Sequence, residues 1–263
     1  MSENVIKVQN ATYKIGGRVI LNNINLEVQK GERCFLLGAN GAGKTSLVKI
    51  LMGYAWPLFG AKIEILGHEY GNVNLAELRK EIAWVSPFIH EWMSDPERTG
   101  MEMVVSGIDA TIGVYRAISE EEKARARELL KQLRGEKLYD QRLCTMSSGE
   151  QVKVLIARAL ITRPKLMILD EPTVYMDITG REFLLKTIEE MAQNRPELTI
   201  LFITQRIEDI LPAFNRGIIL KQGEIAARGN REEILTEARL KEAFDYDIRL
   251  IHTASGRLWT VIE

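Results

Sequence analysis

A chain of 263 residues with 46% hydrophobic and 27% charged residues can bury one large core, and it lies outside the composition of disordered chains. Its 35 basic and 36 acidic residues leave a formal net charge of −1, so no whole-molecule field draws it to nucleic acid or to an anionic membrane surface. The two cysteines, Cys34 inside an apolar run and Cys144, are too few for a disulfide framework and point to free thiols in a reducing compartment.

The first residues lack the long apolar stretch of a secretory signal. Nowhere does the chain approach the ~20 continuous apolar residues of a bilayer-crossing helix. A cytoplasmic chain is expected, with any membrane role supplied by a partner.

The chain begins β-rich. Residues 5–8 alternate, Ile20, Ile24, Leu26 and Val28 share one period-two face, and Gly16-Gly17 offers a turn between the two stretches. Residues 33–37 form a short, nearly continuous apolar run, as in a strand buried on both faces. Helical spacing follows over 45–52, with Leu47, Ile50 and Leu51 on one face.

Between that strand and helix lies Gly38-Ala39-Asn40-Gly41-Ala42-Gly43-Lys44-Thr45, which fits G-x-x-x-x-G-K-[ST] without a mismatch. Glycines let the backbone curl until successive N–H groups point inward at phosphate oxygens, and the helix adds its positive end. Lys44 then reaches the β- and γ-phosphates, Thr45 offers a hard oxygen to Mg²⁺, and Ser46 completes the ATP-binding stretch.

From about 88 to 145 strand signals fade. Ser119 and Glu122 have capping-box spacing, and Ala126, Leu129, Leu130 and Leu133 mark an apolar stripe. Beyond Ser148 helices and strands alternate again: helix 151–160, strand 166–169, helix 180–192, strand 199–204. Alternation of this kind predicts an α/β fold with a mainly parallel sheet, and makes the helical interval an insertion. A helical stretch near 232–244 and a hairpin over 249–252 and 258–262 close the chain.

The strand 166–169 delivers Asp170 and Glu171 at its carboxyl end, the edge where open α/β sheets bind ligands. Asp170 is the candidate second Mg²⁺ ligand beside Thr45, and Glu171 the candidate that polarises a water against the γ-phosphate. An acid here also serves to end a strand or cap the next helix.

Met146-Ser147-Ser148-Gly149-Glu150-Gln151 resembles the Leu-Ser-Gly-Gly-Gln signature of ATP-binding cassette (ABC) proteins, and stands between the two ATP motifs as theirs does. The resemblance covers about residues 4–230 and implies a P-loop NTPase cassette with an N-terminal antiparallel β region and a helical subdomain over about 88–150. Residues 231–263 are then a C-terminal helix and hairpin extension. It further implies that Tyr13 stacks on adenine, unless it simply packs in its sheet, and that Asp177 is the D-loop aspartate, a role compatible with capping a helix. Two cassettes of this family sandwich two ATPs. Ser147, Ser148, Gly149 and Glu150 of one copy would thus close over the phosphate loop of its partner, in a homodimer or paired-cassette dimer. Residues Val105-Ser106-Gly107 and Ile112-Gly113-Val114-Tyr115 resemble a molybdenum-associated cassette branch.

The departures from the family pattern are specific. Ser148 and Glu150 stand for glycine and glutamine in the signature. Pro87 stands where the Q-loop glutamine is expected, with His90 and Glu91 as the nearest polar substitutes. Gln205 follows strand 199–204 where the family has its switch histidine, and it can hydrogen-bond but not titrate. Slower ATP hydrolysis is the expectation.

The leading functional reading is the ATP-hydrolysing subunit of an ABC transporter, held at the inner face of the cell membrane by separately encoded permease subunits. The alternatives are a soluble non-transport cassette ATPase and a weakly hydrolysing nucleotide switch. No direct contact with nucleic acid is expected.

Overall fold

The computed structural model describes residues 3–86, 97–111, 113–174 and 176–262. Strands β1 (Asn4–Ile15) and β2 (Arg18–Gln29) form an antiparallel pair whose turn, Gly16-Gly17, takes φ of 55° and 82°. Backbone in that region is open to glycine at little steric cost. On the other side of β1 lie β4 (Lys62–Ile65) and then β5 (His68–Glu69), both added antiparallel, which gives the sheet order β2-β1-β4-β5.

A second sheet of six strands carries the α/β core. Its members are β3 (Arg33–Leu37), β6 (Ile82–Val85), β7 (Leu166–Asp170), β8 (Thr199–Thr204), β9 (Arg216–Lys221) and β10 (Glu224–Asn230). The spatial order is β10-β9-β3-β8-β7-β6, parallel throughout except for β10, which pairs antiparallel with β9. The apolar runs read from the sequence are explained by burial on both faces. In β3, Cys34 and Leu36 join the hydrophobic cluster under β1, β2 and helix α1 (Lys44–Leu51), whereas Phe35 and Leu37 join the cluster on the opposite face. Strand β7 divides likewise, Leu166 and Ile168 one way and Met167 and Leu169 the other. Each such fully buried side chain contributes about 1.5–3 kcal/mol of transfer free energy.

Helices fill the two layers. Helix α2 (Leu75–Lys80) precedes β6, and α3 (Gly100–Ser106), α4 (Glu120–Gln132) and α5 (Ser148–Leu160) form the helical interval. The Ser119–Glu122 capping box is present at the start of α4, and Ala126, Leu129 and Leu130 are its buried face. Helix α6 (Ile178–Asn194) links β7 to β8. The helical stretch expected near 232–244 is two helices, α7 (Arg231–Ile234) and α8 (Glu237–Phe244). Leu235 leaves helical geometry at ψ 64°, and Thr236 starts the next helix by accepting the Arg239 N–H on its side chain. The chain ends in the expected hairpin, β11 (Ile248–His252) with β12 (Leu258–Ile262), whose Ile248 and Leu258 enter the main core.

Candidate functional site

Strand β3 ends where the phosphate loop begins. The Gly38 N–H donates to the Thr204 carbonyl at 3.3 Å, which fastens the loop to the tip of β8. Glycine is required at two points for different reasons. A Cβ on Gly38 would lie 2.5 Å from the Leu220 carbonyl oxygen, and one on Gly43 would lie 2.7 Å from Leu21 Cδ2. Gly43 also holds φ at 105°, outside the range of residues with a side chain. Gly38-Ala39-Asn40-Gly41-Ala42-Gly43 thus wraps the start of α1, and Lys44, Thr45 and Ser46 form its first turn.

The start of α1 differs from those of the other long helices. Gly43 is its N-cap and supplies no side-chain acceptor, whereas α4 and α5 begin with capping boxes and α6 with a capping aspartate. The first-turn N–H groups of α1 are therefore left for an external anion, at the positive end of the helix dipole.

Lys44 is buried at the centre of the site. Its Nζ donates to the Gly38 and Ala39 carbonyls at 2.8 and 2.9 Å and stands 3.0 Å from Glu171 Oε1. Glu171 follows β7 directly, its N–H donating to Ile203 on β8 at 2.9 Å. Its backbone sits at φ 48°, a left-handed conformation that costs a non-glycine residue about 1 kcal/mol or more. That kink turns the carboxylate back toward the phosphate loop. Gln205 is the next residue after β8, so Gly38, Glu171 and Gln205 are all tied to the same strand tip.

Asp170, the last residue of β7, is 2% exposed, and neither carboxylate oxygen has a hydrogen-bond partner. Burial, and then the neighbouring Glu171, pushes its carboxyl up to about 7, against the lowering effect of Lys44 and Lys49. A buried carboxylate without partners is costly unless a cation completes it. Among the described residues no three acid, histidine or cysteine side chains converge as a metal cage. A single buried carboxylate is instead a hard-oxygen donor of the kind that suits Mg²⁺, an ion that keeps waters and phosphate oxygens as its other ligands.

The signature residues lie elsewhere, at the start of α5. Ser147 is the N-cap, accepting the Glu150 N–H at 3.4 Å, while its own N–H and hydroxyl both donate to Glu150 Oε2 at 3.0 Å. Lys137 holds the other carboxylate oxygen at 2.6 Å. Lys137, and then the Ser147 backbone, lowers the Glu150 carboxyl to about 2. The acid that replaces glutamine is thus turned back on its own helix start and neutralised. Asp177 caps α6, accepting the Gly180 N–H at 2.7 Å. A Cβ built on Gly149 would lie 3.7 Å from the Gly180 Cα, so the signature and the D-loop candidate share one surface through two facing glycines.

Tyr13 lies on β1 opposite Leu21, partly buried against the core beneath the antiparallel sheet. Pro87, His90 and Glu91 lie outside the described residues.

Sequence reasoning missed a polar core behind the site. Asp209, fully buried in a short 3₁₀ turn (Ile207–Asp209), accepts the Thr173 hydroxyl at 2.6 Å and the Arg181 Nε–H at 2.6 Å. Thr173 is two residues beyond Glu171, Arg181 one helical turn beyond Asp177, and Asp209 four beyond Gln205. Thr173 comes from the turn after β7, Arg181 from α6 and Asp209 from the 3₁₀ turn after β8, and no local spacing announces them.

The family profile described as ABC transporter matches residues 21–174. The uncharacterized ABC transporter ATP-binding protein YlmA of Bacillus subtilis (strain 168) is 38% identical over 248 residues, covering 94% of this chain and 93% of that protein. A putative ABC transporter ATP-binding protein of Streptococcus mutans serotype c is 32% identical, covering 97% of each chain. Among solved structures, the inward-facing form of a putative metal-chelate type ABC transporter superposes with a TM-score of 0.77 at 22% identity, over 99% of this chain and 97% of that one. The dimeric, ADP- and phosphate-bound cassette MJ0796 superposes with a TM-score of 0.71 at 26% identity, over 86% of this chain and 98% of that one. With a complete phosphate loop, an acid pair at the end of β7 and these relatives along nearly its whole length, the chain belongs to the ABC transporter family as one of its ATP-binding, ATP-hydrolysing cassettes.

Proposed function

We propose that the chain drives a transporter by binding Mg-ATP between two cassettes and hydrolysing it while docked on separate membrane subunits. The observation that carries the site assignment is the partnerless buried carboxylate of Asp170 beside the Lys44–Glu171 pair. In this reading residues 38–46 hold the phosphates, Tyr13 stacks on adenine, and Thr45 with Asp170 holds Mg²⁺. The ion, once bound, would neutralise charge on the β- and γ-phosphate oxygens. Glu171 accepts the proton of the attacking water, and Gln205 orients that water or the γ-phosphate by hydrogen bonding. Ser147, Ser148, Gly149 and Asp177 meet the ATP of a second copy, whose polyphosphate approaches a helix start where Glu150 is already paired.

Residues 1–230 are the cassette in this reading, and 231–263 an extension of it. No helix among the described residues is long and apolar enough to cross a membrane, so transport requires partners. Tyr54, Trp56, Leu58 and Phe59 form an exposed apolar run between α1 and β4, and Tyr54 stacks near Trp84 at the end of β6. Exposed aromatic surface of this extent supports docking on a permease at the inner face of the membrane.

The test is co-purification of tagged Glu171→Gln protein from detergent-solubilised cells with Mg-ATP present. Stoichiometric recovery of a multi-span membrane protein is the expected result. Recovery of soluble partners alone would replace this reading with a cytosolic ATPase.

A further inference from the structure

The C-terminal hairpin makes polar contacts that its length alone does not require. Arg257, whose side chain is 15% exposed, forms a two-pronged ion pair with Glu182 in α6, with Nη2 3.1 Å from Oε1. The same guanidinium donates to the main-chain carbonyl of Glu208 at 2.9 Å. The Glu208 carboxylate in turn accepts both the hydroxyl and the N–H of Thr260 on β12. Trp259 stands between two cations, its ring 5.8 Å from the Arg181 guanidinium and 5.9 Å from that of Arg257. Arg231 fixes the hairpin turn from behind by donating to the Gly256 carbonyl at 2.9 Å.

These contacts converge on two functional segments. Glu182 lies one turn into the helix that Asp177 caps, and Glu208 lies three residues beyond Gln205. The stretch after Gln205 has only one 3₁₀ turn of its own, so its position depends on what surrounds it. From inside, Asp209 anchors it to Thr173 and Arg181. From outside, the hairpin does the same through Arg257 and Thr260. Planar two-pronged pairing fixes direction as well as distance.

We propose that the hairpin is a brace for hydrolysis: Arg257 holds the segment behind Gln205 against α6, and so is a positioning residue for turnover rather than for nucleotide binding. The inference rests on the reading of Gln205 and Glu171 as the groups beside the reacting phosphate. Small displacement of such groups is felt in turnover far more than in affinity for ATP.

The test compares full-length parent, Arg257→Ala, Arg257→Lys and Thr260→Val. Steady-state phosphate release gives kcat and KM, a fluorescent ATP analogue gives Kd, and hydrogen–deuterium exchange reads peptides spanning 203–211 and 176–186. Arg257→Ala is expected to lower kcat about tenfold, with KM and Kd within about twofold and faster exchange in both peptides. Arg257→Lys recovers part of the rate, and Thr260→Val shows the same pattern more weakly. Should Arg257→Ala fail to fold, Thr260→Val carries the test alone. Unchanged kcat and exchange overturn the brace, as does a loss of kcat matched by an equal loosening of ATP. A parent that binds ATP without turning it over would sink the hydrolytic reading instead. In that case exchange over 203–211 still decides whether the brace exists.

Discussion

Nζ of Lys44 lies 3.0 Å from Oε1 of Glu171, which makes the phosphate-loop cation and the candidate base one coupled pair. In the proposed mechanism, a polyphosphate entering the loop would compete for the Lys44 donors and release the Glu171 carboxylate toward water. Glu171→Gln keeps the shape and removes the base. The expected outcome is ATP affinity within a few-fold of the parent and phosphate release slowed at least ~100-fold. Equal rates in a single-turnover assay would remove Glu171 from the chemistry.

Asp170 provides a pH signature. A carboxyl raised to about 7 is protonated more readily in the folded chain than in the unfolded one. It therefore withdraws stability as pH rises from about 4 to about 7, on the order of 4 kcal/mol in all. Asp170→Asn is expected to raise the Tm in EDTA by about 5 °C or more at pH 8. At pH 4 it should change the Tm little, and Mg-dependent turnover should be lost throughout. A Tm difference independent of pH would show that the carboxylate is not held at this cost.

Glu150 has the opposite sign. Its carboxyl is lowered to about 2, so the contribution of its ion pair is present above the ordinary carboxylate range and disappears as pH falls from about 4.5 toward 2. Glu150→Gln is expected to cost about 0.5–1 kcal/mol at pH 7, a deficit that shrinks below pH 4.5. ATP turnover at pH 7 should stay within about threefold, because the side chain faces Ser147 and Lys137. A tenfold change in rate would mean that the acid meets the nucleotide of the second copy.

Gln205→His tests the switch position. Histidine adds a titratable, positively charging group at the tip of β8, next to the loop fastened by Gly38. Turnover near pH 7 is expected to rise about threefold to tenfold. A variant no faster than the parent would show that glutamine is already sufficient there.

The motifs were legible because each is a contiguous run whose chemistry and backbone conformation are set locally. Gly38 to Thr45 needs only glycines, a preceding strand and a following helix, and β7 needs only four apolar residues before two acids. The Ser119–Glu122 cap was readable for the same reason. The break between α7 and α8 was not, since Leu235 leaves helical geometry with no glycine or proline to announce it, and Thr236 caps the next helix. The Thr173–Asp209–Arg181 core was invisible because its members meet only through the parallel packing of β7 and β8. Arg257 looked like any exposed arginine of a hairpin, and its value lies in Glu182 and Glu208, which are remote in sequence.

The strand order has a consequence for biosynthesis. The antiparallel sheet is complete once β5 has been made, and the helices of 97–160 set their own starts through capping boxes as they emerge. The parallel sheet is different, because β8 is the strand that joins β3 to β7. Until Thr199–Thr204 leaves the ribosome, β3 with its phosphate loop and β7 with its acids have no common neighbour. The newborn chain thus carries two partly folded halves, each with an open strand edge that risks pairing with a stranger. The strand order leaves β3 and β7 to be joined only once β8 has been made.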